Sequence, residues 1–594
     1  MFSFTVGDYL AERLSQLRIF HHFVVPGDYN LTLLDKLDAN ANLNEVGCTN
    51  ELNCALAAEG YARCHGIGVC IVTFSVCIVT FSVGAFSAFN GIGSAYAENL
   101  PVILVSGAPN TNDTHRHLLH HTLGEHDFTY QYDMAKRITC CAVQIRAAYQ
   151  APGLIDRALR ASLLERKPAY IEIPTNLAGE TCARPGPLTA LTSPVPSDDD
   201  SVEAAVVWTS DFLDSKQKPI ILVGPKLQRV GAQRQLLCVA EQLGCAVVLQ
   251  PAAKGSFPED HAQYAGIFWG QVSTLAADVV VNWADVVLCI GTVFTDYSTV
   301  GWTNPPTIPQ IVADTTSVTV PGPGSAAHFS NVRLAEFLHR LAESASRNDR
   351  TIVEYNRLRV DPPLAPATLD RQSPLTRCEV ARQVQALLTP ETTVFADTGD
   401  SWFNGIHLSL PHGARFEIEM QWGHIGWSVP AAYGYALASP GRRIVVLIGD
   451  GAFQVTAQEV SQMVRSRTPV ILVLMNNGGY TIEVEIHDGP YNRIQNWDYA
   501  ALVQAFGPGP GSLEGTTVSG EDNMEGGGGG KEAGWAQGLR ARTAEELAQA
   551  TQRALEHQLG PTVIECVLDR DDCNRELITW GHFVAAANAR KPVT

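Results

Sequence analysis

The amino-acid sequence predicts an α/β protein built from three doubly wound domains, each with a parallel β-sheet. Short apolar runs of strand length alternate along the chain with amphipathic stretches of helical spacing, the pattern of parallel strands covered by helices on both faces. The 594 residues exceed what one hydrophobic core supports. Two proline-rich stretches, at 185–201 and 361–374, interrupt the alternation and indicate domain boundaries. We therefore expect domains at 1–190, 195–355 and 370–594.

The elements can be assigned in order. In the first domain, residues 6–17 have helical spacing, 19–28 form a strand that ends in a loop, and 100–109 and 167–176 are buried strands. The later segments show the same alternation. In the central domain we expect helices at 201–215 and 232–244 and strands at 219–224 and 284–291; in the third we expect strands within 392–401, 442–453, 468–477 and 561–569.

Two segments stand apart from this pattern. The heptad CIVTFSV occurs twice in direct succession, at 70–76 and 77–83, and a single strand through both copies exceeds the usual strand length. Because seven is odd, the second copy would also present its side chains to opposite faces of the sheet, so only one copy can fill one strand position. The second segment, 506–538, contains five consecutive glycines, and we expect a mobile surface loop there.

Composition excludes several classes of function. The formal net charge of −19 repels phosphate backbones, so we expect no nucleic-acid partner. The longest apolar stretch, 69–83, is interrupted by threonines and serines and falls short of the ~20 residues of a membrane helix. The 14 cysteines include no C-x-x-C pair, and the N-terminus lacks a signal pattern. We expect a soluble cytoplasmic protein with reduced thiols and no membrane partner.

A magnesium site is predicted at the ends of two strands in the last domain. Asp450 follows the strand RRIVVLIG within a G-D-G sequence, and Asn477 follows TPVILVLMN. The interval from Gly449 to Asn477 spans 29 residues, which suits a strand–helix–strand unit and brings both side chains to the edge where open α/β sheets bind ligands. A carboxylate and an amide oxygen suit Mg²⁺ that also coordinates a phosphate, and the neighbouring glycines permit close approach. Alone, G-D-G is more typical of a simple turn, and N-N-G-G of a loop; it is their spacing that favours a metal site.

With these motifs in view, the chain resembles the thiamine-diphosphate-dependent 2-keto acid decarboxylase family over essentially its whole length, and within it the pyruvate decarboxylases, nearer the bacterial and plant type than the fungal type. The resemblance is carried by GDG and NN at their spacing and by VPGDYN (25–30), AENLPVILVSGAPN (97–110), LHHTLG (119–124), TGDSWFN (398–404), EMQWGHIGWSVPAA (419–432) and GYTIEVEIHDGPYN (479–492). The duplicated heptad, the glycine-rich loop and Gly478, where relatives commonly carry an aromatic residue, depart from the family pattern.

The resemblance implies a cofactor pair, thiamine diphosphate and Mg²⁺, and a role for each matching residue. The implied metal ligands are Asp450, Asn477 and the Gly479 carbonyl. Glu51 matches the glutamate that binds N1′ of the aminopyrimidine, the Gly423 carbonyl matches the acceptor for its 4′-amino group, and Ile425 matches the residue that bends the cofactor. Further implied cofactor contacts are Thr398, Gly451, Ala452 and Ile482.

The same resemblance implies the reaction, its proton-transfer residues and its assembly. Pyruvate would be decarboxylated to acetaldehyde and carbon dioxide through a cofactor ylide and an enamine. The implied proton relay is Asp28, His120, His121 and Glu483, and the implied substrate-pocket residues are Tyr297, Trp402 and Ile486. In the family the aminopyrimidine-binding domain of one subunit faces the diphosphate-binding domain of another, so a dimer or tetramer is expected.

Three alternatives remain open. Another enzyme of the same cofactor class, such as an indolepyruvate decarboxylase or acetolactate synthase, is the nearest; LHHTLG and IHDGPYN count against the synthase. A catalytically inactive cofactor-binding scaffold is a second, against which the intact Glu51, Asp450, Asn477 and Glu483 argue. A dinucleotide oxidoreductase is the weakest, because the G-I-G at 91–93 lacks the rest of the Rossmann pattern.

Overall fold

Three β-sheets flanked by helices organise the computed structural model, which describes residues 4–64, 75–359, 372–507 and 535–592. No helix in these ranges has the length and apolar character needed to span a bilayer. All the cysteines in them are free thiols, as the composition predicts. Residues 508–534 of the expected loop at 506–538 and residues 70–74 of the first heptad copy lie outside the described residues.

The N-terminal sheet has six parallel strands in the order β2-β1-β3-β4-β6-β5. Its strands are β1 His21–Val24, β2 Asn44–Gly47, β3 Ser75–Val79, β4 Val102–Ala108, β5 Cys141–Gln144 and β6 Ala169–Pro174, and its helices are α1 Val6–Gln16, α2 Leu31–Asp38, α3 Glu51–Arg63, α4 Val83–Ala97, α5 Tyr130–Ile138 and α6 Ala151–Glu165. The fully buried β3 straddles the junction of the two heptad copies and pairs with β1 through Cys77 and Ile78. The second copy then leads directly into α4.

The central sheet has seven strands in the order β13-β12-β11-β10-β7-β8-β9. Its elements are β7 Pro219–Val223, β8 Ala246–Leu249, β9 Tyr264–Ile267, β10 Val286–Ile290, β11 Gln310–Ala313, β12 Ser317–Val320 and β13 Ala327–Ser330, with α7 Thr189–Thr192 preceding them in the linker and α8 Asp199–Asp214, α9 Lys226–Val230, α10 Gln233–Leu243, α11 Ala277–Trp283, α12 Leu334–Ser344 and α13 Arg350–Leu358 around them. The sheet is mostly parallel, as expected, and β12 and β13 add an antiparallel edge to it. Their alternating half-buried pattern is typical of an edge with one solvated face.

The C-terminal sheet has six parallel strands in the order β15-β14-β16-β17-β19-β18, the same topology as the N-terminal sheet. Its strands are β14 Thr392–Ala396, β15 Arg415–Ile418, β16 Arg443–Gly449, β17 Val470–Asn476, β18 Gln537–Ala541 and β19 Thr562–Val567. Its helices are α14 Arg377–Leu387, α15 Asp400–Ile406, α16 Ser428–Ala438, α17 Asp450–Thr456, α18 Val460–Arg465, α19 Thr481–Ile486, α20 Tyr499–Ala505, α21 Ala544–Glu556 and α22 Arg575–Asn588.

The two terminal sheets are joined within the chain by the packing of α3 against α16. Glycines allow the helices to touch: a Cβ built on Gly60 would lie 1.9 Å from the Ala431 carbonyl oxygen, and one on Gly434 would lie 1.8 Å from the Ala57 oxygen. Beside this contact, Glu459 accepts hydrogen bonds from the Thr49 hydroxyl at 2.6 Å and from the Asn53 side-chain amide at 2.9 Å. The start of α3 is therefore anchored to the C-terminal half.

Candidate active site

A cavity of about 290 Å³ lies at the carboxyl ends of β14, β16 and β17. Because these three strands are parallel neighbours, the loops that follow them meet at one edge of the sheet. The cavity is lined by Thr398, Gly399, Asp400, Ser401, Ile425, Gly449, Asp450, Gly451, Ala452, Met475, Asn477, Gly479, Tyr480, Thr481, Ile482 and Glu483. The structure thus gathers there most of the residues that the sequence singled out in the last domain.

Asp450 is the buried acid of this cavity. Its side chain is 1% exposed, with Oδ1 accepting a hydrogen bond from the Gly451 N–H at 2.7 Å and Oδ2 accepting one from the Gly478 N–H at 2.6 Å. Burial raises the pKa of this carboxyl group to about 6, although the surrounding backbone N–H groups act in the opposite direction. A buried carboxylate that is costly to ionise alone is a favourable ligand for a cation, because the cation supplies the missing charge.

Asn477 and Gly479 complete the oxygen ligands of a candidate metal site beside Asp450. Asn477 uses its side-chain nitrogen to donate to the Thr481 hydroxyl, so that hydrogen bond leaves the amide oxygen unused. Gly479 packs against the next turn so tightly that a Cβ there would lie 2.3 Å from the Asn492 carbonyl oxygen, which explains the glycine. A carboxylate, an amide and a carbonyl oxygen are the donors that Mg²⁺ prefers.

The remainder of the cavity fits an anionic group. The Thr398 hydroxyl is buried at its wall and has no hydrogen-bond partner. Helix α17 begins at Asp450, and its first three residues, Asp450, Gly451 and Ala452, line the same space at the helix end where negative charge is favoured. Gly451 packs closely against Tyr480, because a Cβ at this position would lie 2.4 Å from the Tyr480 ring. These donors, together with the metal ligands, fit a diphosphate bridged by a divalent cation.

The loop that carries Gly423 and Ile425 is fixed by buried acids. Asp397, which is fully buried at the end of β14, accepts hydrogen bonds from the Gly426 N–H at 2.9 Å and the Ser428 N–H at 2.8 Å. Burial raises the pKa of Asp397. Ile425 lines the cavity, whereas Gly423, with φ of +71°, stands at its margin in the same loop. Asp397 was missed in the sequence, although its position immediately after a buried strand was a usable signal.

Glu483 and an aromatic cluster lie at the mouth of the cavity. Glu483 is exposed on α19, and the pKa of Tyr297 is raised first by burial and then by the negative charge of Glu483. The Tyr297 ring meets Trp402 edge-on at 5.8 Å and Trp580 at 5.0 Å. Trp402 is fully buried, and neither it nor Tyr297 or Ile486 lines the cavity itself. Trp580 lies in α22, and no pattern in the sequence predicted that it would pack against Tyr297.

A second group of site residues assembles at the carboxyl edge of the N-terminal sheet. Asp28 follows β1 and lies next to two histidines. The distance from one of its carboxylate oxygens to His120 Nε2 is 2.5 Å, and the distance from the other to His121 Nε2 is 3.7 Å. Glu51 is the first residue of α3, and its Oε1 lies 2.8 Å from where a Cβ on Gly84 would stand. Thr80 lies against both Gly84 and Gly27, the residue before Asp28, and so links the two parts of this group.

The chain therefore holds two separate half-sites. One is the cavity of the C-terminal sheet with its candidate metal ligands; the other is the Glu51, Asp28, His120 and His121 group of the N-terminal sheet. None of these four residues lines the cavity of the same chain. Both half-sites lie at carboxyl edges of parallel sheets with the same topology.

Comparisons with known proteins give one consistent result. Residues 4–129 match the N-terminal TPP binding domain of thiamine pyrophosphate enzymes, 208–323 match the central domain and 397–525 match the C-terminal TPP binding domain. The chain is 62% identical to a pyruvate decarboxylase of Neurospora crassa over 99% of this chain and 97% of that protein. It is 54% identical to a probable pyruvate decarboxylase of Schizosaccharomyces pombe, with the same coverage, and 42% identical to pyruvate decarboxylase 3 of Arabidopsis thaliana, over 99% of this chain and 94% of the plant protein. Both fungal identities exceed the plant one, contrary to the expectation of a plant-type chain.

Proposed function

This chain belongs to the thiamine pyrophosphate enzyme family, and on that premise we propose that it decarboxylates pyruvate non-oxidatively to acetaldehyde and carbon dioxide. Its similarity to pyruvate decarboxylases extends over the full length of the chain. The observation that carries the proposal is the cavity at the ends of β14, β16 and β17, where a buried carboxylate, an amide and an unpartnered hydroxyl converge. We place the domain boundaries at 1–190, 195–355 and 370–594. The proposed location of the enzyme is the cytoplasm.

In the C-terminal half-site, Asp450, Asn477 and the Gly479 carbonyl would hold Mg²⁺. Thr398 and the start of α17, with Gly451 and Ala452, would hold the diphosphate of thiamine diphosphate. When bound, the cofactor supplies a positively charged ring that accepts the electron pair released as carbon dioxide leaves. The chain's own contribution is to fix that ring: Ile425 and Ile482 would support it, and the loop held by Asp397 would direct the Gly423 carbonyl toward the 4′-amino group.

Glu51 would hold a proton at N1′ of the aminopyrimidine. Asp28, His120, His121 and Glu483 would move protons at the reacting carbon and during release of the aldehyde, since imidazole and carboxyl groups suit acid–base work near neutral pH. The contact between Asp28 and His120 at 2.5 Å supports a shared proton path between these side chains.

We place Glu51 and Asp450 of one active site on two different subunits. The chain does not bring its own Glu51 to its own cavity, but both half-sites are complete in themselves. In a dimer with two-fold symmetry, the cavity of each chain would face the N-terminal half-site of the partner, so the dimer would contain two complete sites. The dimer is then the smallest active unit, and a tetramer is a dimer of such dimers.

Pyruvate is the proposed substrate because the similar proteins are named pyruvate decarboxylases. Tyr297, Trp402 and Ile486 are the bulky residues that the resemblance implies for the substrate pocket, and such side chains would favour pyruvate over aryl or indole keto acids. Indolepyruvate decarboxylation is the second candidate, and the ratio of kcat/KM for the two keto acids separates them.

The first experiment measures acetaldehyde from pyruvate with the purified chain, thiamine diphosphate and Mg²⁺. Glu51→Gln is expected to lose nearly all turnover while keeping its melting temperature. Glu203→Gln, on the exposed face of α8, is the matched control and should keep full activity. A wild-type chain that binds the cofactor but forms no aldehyde would establish the inactive scaffold instead.

The second experiment tests the shared site by mixing two inactive variants. If Glu51→Gln and Asp450→Asn chains exchange subunits at random, half of the dimers are mixed, and each mixed dimer has one site with both residues intact. Activity should then recover to about a quarter of the wild-type value. No recovery despite demonstrated subunit exchange would show that both residues serve the site of a single chain.

A further inference from the structure

The group formed by Asp28, His120 and His121 also has the composition of a transition-metal site. Two imidazole nitrogens and a carboxylate oxygen all lie within 4.8 Å of one another. Among the residues that the structure describes, this is the one group of three His, Cys, Asp or Glu side chains that converges so closely. In the single chain the side chains of His120, His121 and Asp28 are 61%, 37% and 49% exposed, and in the proposed dimer they would face the partner's cavity, which the substrate must also enter from solution.

The three ligands are held in place before any ion binds. The Tyr29 ring stacks on the His120 ring at 5.0 Å with an angle of 13°, and its hydroxyl donates to the His120 carbonyl oxygen at 3.3 Å. His121 has a left-handed backbone with φ of +55°, a conformation that is uncommon for residues other than glycine. The turn that carries Asp28 is closed by Asn30, which accepts from the Gly27 N–H at 3.0 Å and donates to the Val25 carbonyl oxygen at 3.2 Å.

The ligand types in this group favour a transition-metal ion over Mg²⁺ or Ca²⁺. Imidazole with carboxylate suits Zn²⁺ and its neighbours in the first transition row, whereas Mg²⁺ and Ca²⁺ prefer all-oxygen sites. Ligand atoms in a tetrahedral zinc site are roughly 3.3 Å apart, given bond lengths of about 2.0–2.1 Å. His120 Nε2 lies 2.5 Å from one Asp28 oxygen and His121 Nε2 lies 3.7 Å from the other, so the side chains would rotate to bring both nitrogens and one oxygen to that spacing. The exposed side leaves a fourth position for water.

We propose that Asp28, His120 and His121 bind one Zn²⁺ or similar transition-metal ion per chain and that the bound ion stops turnover. The ion would occupy the imidazole lone pairs and the carboxylate oxygen that proton transfer needs. The inhibitory part rests on the proposed function, because it requires these residues to act in pyruvate decarboxylation. The binding part rests on the geometry alone.

The test is a calorimetric titration of the holoenzyme with Zn²⁺ in saturating thiamine diphosphate and Mg²⁺, so that the C-terminal cavity is already filled. His120→Gln and Asp28→Asn each remove one ligand and should weaken binding by at least about tenfold. His117→Gln is the matched control: His117 is 64% exposed in the same loop, with its nearest acid, Asp113, 4.0 Å away. Its zinc affinity should equal that of the wild type.

Two further readouts identify the ligands and the consequence. Co²⁺ in place of Zn²⁺ should give an absorption spectrum of nitrogen and oxygen coordination without thiolate charge-transfer bands, which excludes the cysteines as ligands. Acetaldehyde formation by the wild type and by His117→Gln should fall over the same Zn²⁺ concentrations that fill the site, and a chelator should restore it.

Equal zinc affinity in the wild type and in His120→Gln would overturn the proposal, as would stoichiometric binding without loss of turnover. Failure of the proposed function would look different. The zinc-free holoenzyme, supplied with thiamine diphosphate and Mg²⁺, would form no acetaldehyde from pyruvate, while the zinc titration would still distinguish His120→Gln from His117→Gln.

Discussion

Replacing Gly60 by alanine should separate the two helices that join the N-terminal and C-terminal halves of the chain. The added Cβ would stand 1.9 Å from the Ala431 carbonyl oxygen, whereas ordinary contact begins at 3.4 Å, so α3 and α16 must part by about 1.5 Å. The obstacle is a backbone atom that cannot rotate away. Overpacking a core typically costs about 1–3 kcal/mol, and a rigid backbone contact places this variant near 3 kcal/mol.

This loss of stability should appear as a lower melting temperature. For a domain of 150–250 residues, 1 kcal/mol corresponds to roughly 2–4 °C, so the apparent melting temperature should fall by roughly 6–12 °C. Because Glu51 begins α3, its carboxylate would move as well, and a misplacement on the order of 1 Å can lower turnover about a hundredfold. Thermal unfolding at one fixed scan rate and acetaldehyde formation measure the two effects.

Gly153→Ala provides the matched control for this prediction. Gly153 lies on the exposed face of α6, where a Cβ would meet no atom within 4 Å, so alanine should leave the melting temperature unchanged or raise it slightly. If Gly60→Ala instead melts within about 2 °C of the wild type and keeps full turnover, the close approach of α3 to α16 is not a feature of the folded enzyme.

Two further predictions concern buried charge. His22 is 1% exposed, with both ring nitrogens unpartnered, and burial lowers its pKa from 6.5 to about 4. The folded state therefore binds fewer protons than the unfolded state between these values; the stability contribution is full above pH 6.5 and is lost as pH falls toward 4, by about 2 kcal/mol at pH 5. His22→Leu should lose less stability than the wild type between pH 7.5 and 5 in denaturant titrations, and equal losses would contradict the assignment. Arg377 is 3% exposed and ion-paired with Asp400, which lines the cavity. Arg377→Gln would leave the negative charge of Asp400 without a cation beside the proposed diphosphate site, so thiamine diphosphate binding, measured by calorimetry, should weaken roughly 10- to 100-fold. Arg377→Gln combined with Asp400→Asn should recover most of that affinity; a double variant as weak as the single one would show that charge is not the cause.

Local pattern was enough to predict the sheets and one half-site. The alternation of apolar runs and amphipathic stretches predicted α1, β1, β4 and β6, because the period of burial follows from the element itself. The spacing of Asp450 and Asn477 predicted neighbouring strand ends, since one strand–helix–strand unit connects them and β16 pairs directly with β17. The antiparallel edge formed by β12 and β13 was not predicted, because an edge hairpin and a parallel strand share the same short apolar run.

Contacts between residues far apart in the chain were decided by tertiary structure alone. Asp28 meets His120 across 92 positions, and Tyr297 meets Trp580 across 283, and neither pair has a periodic signal that local sequence could carry. The resemblance to a family named Asp28, His120 and Glu51 as site residues and implied a site shared between subunits, and in the folded chain none of the three lines the cavity of Asp450. The physical reason is that pattern reports which face of an element is buried, while the choice of its partner depends on how whole sheets and helices pack.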